Sequence, residues 1–143
     1  MATLHAARFA DLDPRVLHDL LRLRVDVFVV EQRCPYPEID GRDVEAGAEH
    51  LWMDVDGEVV ATVRTLVDPD GTRRLGRVAT HRDHRGHGYA AQLVREGLRR
   101  LGEGPVHIGA QAYLADWYAR LGFTRSGPDY LEDGIPHLPM TRG

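Results

Sequence analysis

The sequence predicts a mixed α/β layer structure, and three observations carry that prediction. A chain of 143 residues has the length of one domain. Its hydrophobic fraction of 43% and charged fraction of 28% are those of a globular protein rather than a disordered one. Segments with strand-like alternation and segments with helical apolar spacing follow one another along the chain. The predicted order is β-α-βββ-α-β-α-ββ, in a single domain over residues 1–143.

The N-terminal part of the chain predicts a strand, a helix and a long loop. A short strand is expected over Thr3–Phe9, and a helix begins at Asp13-Pro14, an N-cap followed by a first-turn proline. Apolar residues at three- and four-residue spacings give this helix one buried stripe, and it is expected to end near Gln32. An irregular loop rich in proline, glycine and acidic residues follows over residues 33–47.

The middle of the chain predicts three strands. The turn Asp56-Gly57 between His50–Val55 and Glu58–Val67 is typical of a β-hairpin. A second turn over residues 68–71 leads to a third strand from about Arg74 to Thr80.

The C-terminal half predicts a helix over Gly88–Leu101, a short buried strand over Val106–Ala110 and a helix over Ala112–Leu121. Two extended segments close the chain, and prolines at 128, 136 and 139 restrict them to sheet edges or bulges.

Composition excludes several function classes. The net charge of −4 excludes a generally basic nucleic-acid binder, although not a local basic patch. All 18 cationic side chains are arginines, which excludes lysine Schiff-base chemistry and the Gly-Lys-Ser/Thr phosphate loop. The single cysteine, Cys34, cannot form an internal disulfide, and an inert thiol is expected there. No apolar run approaches the ~20 residues of a membrane span, and the N-terminus lacks a signal-like apolar core, so a cytoplasmic protein is expected.

Two further patterns bear on ligands. The spacing His81-x-x-His84-x-x-His87 lacks a clear fourth ligand, so no metal is expected. The segment from Glu31 to Glu49 holds six carboxylates and two arginines, a net charge of −4. One interpretation is that this segment attracts a cationic substrate, and a solvated loop of no function is an equally weighted alternative.

The glycine-containing loop after the third middle strand is the most informative segment. A predicted strand runs into Arg85-Gly-His-Gly-Tyr-Ala90, and a helix begins at once. Glycines let the backbone approach a ligand closely, and the free amides of a helix's first turn bind anions. Arg82 and Arg85 add positive charge, so a phosphate or diphosphate is the expected ligand.

Three interpretations of this loop compete. Gly86-x-Gly88-x-x-Ala91 fits a dinucleotide fingerprint, but that site needs an acidic residue at the end of the next strand, where Ala110-Gln111-Ala112 stands. A helix entry that uses glycine only for its turn leaves the two flanking arginines unexplained. The third interpretation is a diphosphate site for coenzyme A.

The coenzyme A interpretation is accompanied by a resemblance to a known family. Arg85-x-x-Gly88-x-Ala90 resembles the Gln/Arg-x-x-Gly-x-Gly/Ala motif of the GNAT N-acetyltransferases. Gly76–Thr80 is similar to that family's fourth strand, and Trp117–Phe123 to its later Tyr-x-x-x-Gly-Phe element. Further segments resemble the ElaA-like subgroup, so the resemblance spans nearly the whole chain: Val27–Gln32, Cys34–Tyr36, His50-Leu51, Gly76–Val78, Ala110–Ala112 and Asp133–His137.

The resemblance implies a fold, a co-substrate and a binding site. The fold is a mixed central sheet with helices on both faces, in which two parallel strands, ending here near Thr80 and Ala110, splay around the thioester of acetyl-CoA. Backbone groups of Val78, Ala79 and Thr80 would hold the pantetheine arm, and Arg82 or Arg85 would lie near phosphate. The loop amides that would bind the diphosphate are those of Gly86, His87, Gly88, Tyr89 and Ala90.

The resemblance also implies acetyl transfer to an amine, which requires two proton transfers. Tyr118 matches the family's general-acid position, and a tyrosine with a pKa near 10 is protonated at neutral pH; without the resemblance, helix packing would be the preferred role. An alkylammonium with a pKa of about 10.4 must also lose a proton. Leu75–Thr80 carries no carboxylate, so the base is sought elsewhere, and His50 and His137 are the candidates because a neutral histidine suits the task. Glu31, Glu49 and Asp133 are the candidate acceptor contacts.

The expected activity is therefore acetyl transfer from acetyl-CoA directly to a primary amine of a small molecule or peptide, without an acyl-enzyme. A non-catalytic acyl-CoA-binding or regulatory module is the alternative, and a homodimer is compatible with the sequence.

Overall fold

The computed structural model describes residues 1–143 and confirms a mixed α/β fold built on one sheet. Eight strands and three α-helices follow one another along the chain: β1 (Ala2–Ala7), α1 (Pro14–Val25), β2 (Glu49–Val55), β3 (Glu58–Val67), β4 (Arg73–Thr80), α2 (Tyr89–Leu101), β5 (Val106–Gln111), α3 (Ala115–Ala119), β6 (Thr124–Arg125), β7 (Tyr130–Glu132) and β8 (Ile135–Arg142).

The strands are arranged in the order β1-β2-β3-β4-β5-β8-β6, and β7 pairs with another part of β8. Only β4 and β5 are parallel, whereas all other pairs are antiparallel. The predicted hairpin between β2 and β3 is confirmed. Asp56 (φ +52°) and Gly57 (φ +87°) both adopt the left-handed conformation that a type I′ turn requires.

The two long helices lie on opposite faces of the sheet. Leu20 of α1 packs in a small cluster with Trp52 of β2. The neighbouring Leu51 points to the other face, where it joins the main core together with Leu93 of α2. Because successive side chains of a strand alternate between faces, one strand supplies both layers.

The first helix begins as predicted. The Asp13 carboxylate accepts a hydrogen bond of 2.8 Å from the Arg15 amide, so Asp13 caps the helix that starts at Pro14. After Val25 the helix continues as a π-helical turn over Asp26–Glu31, which brings its end to Gln32. The next 15 residues are irregular except for one short 3₁₀ turn.

The C-terminal region differs from prediction in two respects. The expected helix over Ala112–Leu121 is a 3₁₀ turn followed by the five-residue α3, and three strands rather than two close the chain. The prolines do not confine β8 to an edge, since β8 lies between β5 and the strands β6 and β7. The backbone carbonyl of Pro139 faces the side of β8 on which β6 lies, and it accepts a hydrogen bond from the Ser126 amide at 2.9 Å. Because β6 ends at Arg125, no strand on that side requires an amide from Pro139. Pro136 lies beyond the last β5 pair, so neither missing amide interrupts a ladder.

No helix in the structure combines the length and apolar character needed to cross a bilayer.

Candidate functional site

The parallel strands β4 and β5 separate after two residue pairs. They are paired only at Arg73 with Val106 and at Arg74 with His107. Beyond these pairs the strands diverge, and a cleft of about 880 Å³ opens between them. Backbone amides and carbonyls along the inner edges of the split have no strand partner there, so they are available to a ligand.

A bulge in β4 opens onto this cleft. The register between β3 and β4 shifts between Thr62 and Arg64, so that Arg77 and Val78 together stand opposite Val63. Arg77 has a φ of +50°, the left-handed conformation that is uncommon for a residue other than glycine. Bulges redirect backbone and side chains at functional sites. Here the bulge directs the Arg77 side chain toward the loop that follows α1 and leaves Val78 on the cleft wall.

The glycine loop forms one end of the cleft. Gly86 and Gly88 have φ angles of +84° and +76°, and nothing lies within 4 Å of the position that a Cβ would occupy on either. Gly88 is the N-cap of α2 and offers no side-chain cap. The first helical hydrogen bond is that of the Gln92 amide to the Gly88 carbonyl at 3.1 Å. The preceding amides of the helix's first turn are therefore free to bind an anion.

The two arginines of this segment have different surroundings. Both terminal nitrogens of Arg85 donate to Glu31 at 2.7 Å, and its Nε donates to the Thr80 carbonyl at 3.1 Å. This pair ties the glycine loop to the end of the π-helical turn, and the hydrogen bond from Arg85 lowers the pKa of Glu31. The side chain of Arg82 is 77% exposed and lies outside the cleft lining.

Tyr118 of α3 lies in an aromatic cage at the cleft wall. Its ring makes edge-to-face contacts with Trp117 at 4.9 Å and with Phe123 at 5.8 Å between centroids. The residue is buried yet contributes to the cleft surface. Burial raises the pKa of its phenol well above the ordinary value, so the hydroxyl is a proton donor at neutral pH.

A buried charge network holds the loop over residues 33–47 against the sheet. The Arg24 guanidinium donates to Glu38 and to Asp43, both at 2.7 Å. Arg64 of β3 contacts the same Asp43 at 3.1 Å and Asp40 at 2.9 Å. Arg24, Glu38 and Asp43 are each less than 5% exposed.

The acidic segment is therefore neutralised within the protein. All six of its carboxylates contact an arginine: Glu31 with Arg85, Glu38 with Arg24, Asp40 with Arg64, Asp43 with Arg24, Glu45 with Arg42, and Glu49 with Arg100. Neither a cation-attracting surface nor a freely solvated loop describes it, because each carboxylate is paired and all of these arginines except Arg42 lie outside the segment.

The β7–β8 hairpin forms a further part of the cleft wall. His137 has a side chain that is only 9% exposed, and its Nδ1 is 2.7 Å from the Ile135 carbonyl. A carbonyl can only accept, so Nδ1 carries the hydrogen and Nε2 holds the lone pair in the neutral ring. Nε2 makes no hydrogen bond and lies 3.5 Å from Glu132. The ring stacks on Tyr130 at 5.6 Å between centroids.

The structure brings most of the sequence-predicted site residues to this cleft. Those that line it are Glu31, Val78, Ala79, Thr80, Arg85, Gly86, His87, Gly88, Tyr89, Ala90, Tyr118, Asp133 and His137. Arg82, Glu49 and His50 do not line it.

His50 is a structural residue at its position. It is 2% exposed, and its Nε2 lies 3.0 Å from the Asp43 carbonyl, to which it donates. Burial lowers its pKa, so the ring is neutral and enclosed. Because it cannot reach the cleft, it does not qualify as the base of a reaction there. Glu49 is likewise held by Arg100 at 2.5 Å.

Sequence reasoning missed Glu132 and Arg77. Glu132 directly precedes the Asp133-Gly134 pair, whose φ angles of +50° and +78° make the hairpin turn. An Asp-Gly turn is a sequence signal, so the position of Glu132 at the end of a strand could have been predicted. The left-handed Arg77 carries no sequence signal, because arginine has no preference for that conformation. No group of three metal-ligating side chains occurs in the structure.

Comparisons with known proteins agree with this geometry. The model of the acetyltransferase (GNAT) domain family matches residues 19–142. A UPF0039 protein of Mycobacterium tuberculosis is 51% identical over 136 residues, which cover 92% of this chain and 87% of that protein. The crystal structure of Escherichia coli ElaA superposes with a TM-score of 0.93 at 36% identity, and covers 100% of both chains. The crystal structure of an acyl-CoA N-acyltransferase from Pseudomonas aeruginosa has a TM-score of 0.92 at 41% identity, again over 100% of both chains. The split sheet, the glycine loop and these likenesses lead to one conclusion: the chain belongs to the GNAT acetyltransferase family.

Proposed function

We propose that this protein transfers the acetyl group of acetyl-CoA directly to a primary amine of a small molecule or peptide. One observation carries the proposal. The split between β4 and β5 joins, in a single cleft, a loop of free amides, a protonated tyrosine and a histidine with an unpartnered nitrogen.

The free amides of the glycine loop fit a diphosphate. The left-handed Gly86 and Gly88 leave open space above the backbone, and a phosphate oxygen fits where a Cβ would otherwise lie. Val78, Ala79 and Thr80 run along the split, and the backbone groups of this segment that face away from β3 are offered to an extended pantetheine arm. The Thr80 carbonyl already accepts from Arg85. Arg82 is free to swing toward phosphate, whereas Arg85 would have to leave Glu31 to do so.

Tyr118 is the proposed general acid. Acetyl transfer releases a thiolate, and the Tyr118 hydroxyl gives this sulfur its proton. Burial raises the pKa of the phenol, so the hydroxyl holds its proton at neutral pH and has it available when the thiolate leaves. General acid catalysis of this kind contributes roughly 10²- to 10⁴-fold to the rate.

His137 is the proposed base. An amine attacks only after it loses its ammonium proton, and the lone pair on Nε2 of His137 is positioned to accept it. The hydrogen bond from Nδ1 to the Ile135 carbonyl fixes the ring orientation. Glu132, at 3.5 Å, stabilises the imidazolium that forms.

The first experiment is a calorimetric titration with acetyl-CoA, with NADH as the control ligand, followed by measurement of thiol release in the presence of primary amines. We expect saturable acetyl-CoA binding, no NADH binding and amine-dependent release of coenzyme A. Absence of acetyl-CoA binding by folded protein contradicts the proposal. Binding without transfer to any amine would favour a non-catalytic acyl-CoA-binding module instead.

A further inference from the structure

Every arginine that lines the cleft is already engaged by a carboxylate. The five pairs have nitrogen–oxygen distances between 2.6 and 2.9 Å: Arg42 with Asp68, Arg64 with Asp40, Arg74 with Asp68, Arg77 with Glu38, and Arg85 with Glu31. The buried Nε atoms of Arg64 and Arg77 make no hydrogen bond, but both guanidinium groups are ion-paired. An acceptor that carries a carboxylate therefore finds no guanidinium in the cleft without a carboxylate partner. To be bound through that carboxylate it would have to displace an existing ion pair.

Some of the carboxylates that line the cleft form no ion pair with an arginine. Four line it, and two of these, Glu31 and Asp40, belong to the arginine pairs. Glu132 and Asp133, which are consecutive at the hairpin turn, contact no arginine. The cleft therefore has an excess of negative charge where the hairpin lines it, and this excess comes from two defined residues.

A second observation makes this part of the cleft a built site rather than an acidic surface. The side chain of His137 is buried to nine-tenths, lines the cleft, and has an Nε2 without a hydrogen bond. The Tyr130 ring covers one face of the imidazole. The turn is anchored from the opposite wall, where the Cys34 thiol lies 3.5 Å from the Asp133 carbonyl. Nε2 is therefore open to a polar group of a bound ligand.

The reacting nitrogen does not neutralise this excess charge. An amine that attacks a thioester has given up its proton and is uncharged at that moment. The proton that it gives up charges His137, which Glu132 contacts at 3.5 Å, and the negative charge of Asp133 remains uncompensated. A second cationic group on the same molecule remains charged throughout, and it is attracted to this pair of carboxylates in both the ground state and the transition state.

We propose that the acceptor is an amine that carries a second cationic group and no carboxylate, and that Glu132 and Asp133 select it by contacting that second group. This inference rests on the proposed acetyl transfer. It specifies diamine-like acceptors and disfavours amino acids with a free carboxylate.

The test uses three probes that share a linear five-carbon amine and differ at the far end: diaminopentane, pentylamine and aminopentanoate. Binding to the coenzyme A-saturated protein is measured by calorimetry, and kcat/KM is measured in the transfer assay. We expect diaminopentane to be favoured over pentylamine by about threefold to tenfold, as two solvent-exposed charge pairs allow, with aminopentanoate weakest. The double variant Glu132→Gln, Asp133→Asn should lose this preference. The control Glu103→Gln, an exposed carboxylate outside the cleft lining, should keep it.

Equal affinities for the three probes in the unmodified protein would overturn the inference, and so would tighter aminopentanoate binding or a preference that survives the double variant. Failure of the proposed function has a different signature. In that case diaminopentane is still bound preferentially, but no acetyl group is transferred.

Discussion

Arg85 and Glu31 form a two-armed ion pair that joins the glycine loop to the end of the π-helical turn, 54 residues away in sequence. The side chains are 44% and 40% exposed, so the pair is worth little to global stability. The role that we propose for it is positional, because it holds the loop whose amides are proposed to bind the diphosphate.

Glu31→Gln should therefore affect ligand binding more than folding. We expect the free energy of unfolding to change by less than about 1 kcal/mol, while the KM for acetyl-CoA rises about threefold or more as the loop loosens. Urea denaturation and steady-state kinetics measure the two effects. The control is Glu96→Gln, which removes a surface pair within α2. An unchanged KM in the Glu31 variant would show that the pair does not position the loop.

Gly86 and Gly57 provide a matched comparison for the phosphate site. Their φ angles are +84° and +87°, and neither has an atom within 4 Å of a substituted Cβ. Alanine at either position should cost about 1 kcal/mol of stability, because both conformations are left-handed. Only Gly86→Ala should weaken acetyl-CoA binding, by about tenfold or more. Equal acetyl-CoA affinities in the two variants, measured by calorimetry, would remove Gly86 from the site.

Tyr118→Phe tests the general acid. The ring contacts with Trp117 and Phe123 do not involve the hydroxyl, so packing should be retained. We expect kcat to fall about tenfold or more, with little change in the Kd of acetyl-CoA. The comparison requires chemistry to be rate-limiting, which pre-steady-state measurements establish. Unchanged kcat under that condition is incompatible with the assigned role.

Arg24 tests the stabilising role of the buried network. Arg24→Met leaves the buried Glu38 and Asp43 without their main partner, and we expect a loss of about 3–5 kcal/mol in the free energy of unfolding. Arg22 on the same helix is exposed and lies 3.8 Å from Asp26. Arg22→Met should therefore cost less than about 0.5 kcal/mol. Similar losses in both variants would mean that the network contributes no more than a surface pair.

His50 predicts a pH dependence of stability. Burial lowers its pKa below the ordinary value of 6.5, so below that pH the unfolded chain binds a proton that the folded protein does not. The contribution of His50 is thus complete above pH 6.5 and is lost as the pH falls toward its folded-state pKa, at up to about 1.4 kcal/mol per pH unit. Denaturation at several pH values should show a weaker dependence in His50→Gln. An identical dependence in both proteins would exclude this linkage.

Local signals were sufficient for most of the fold. The Asp13 cap, the Asp56-Gly57 turn and the glycine loop each depend on neighbouring residues, and each was predicted. The position of β8 was not, because the effect of a proline depends on which strand lies on its amide side, and that is a property of the whole sheet.

In the candidate site too, features that depend on neighbouring residues were predicted and features that depend on tertiary contacts were not. The glycine loop and Tyr118 are identified by short motifs, whereas the ion pairs of the acidic segment were not predicted. Arg24 is 14 residues from Glu38, and Arg64 is 21 residues from Asp43. A count of charges within the segment cannot reveal partners that only tertiary folding supplies.

The buried charge network also determines which parts of the cleft wall tolerate substitution. A single substitution at Arg24, Glu38 or Asp43 leaves an uncompensated charge in the interior, so that wall is costly to alter. The side chains of the turn residues Glu132 and Asp133 are exposed and make no ion pair with an arginine, and the Cys34 contact involves the Asp133 backbone carbonyl, which a substitution retains. Substitutions at the hairpin turn therefore carry little risk to folding, which makes this turn the natural starting point for altering the acceptor selectivity that we propose for it.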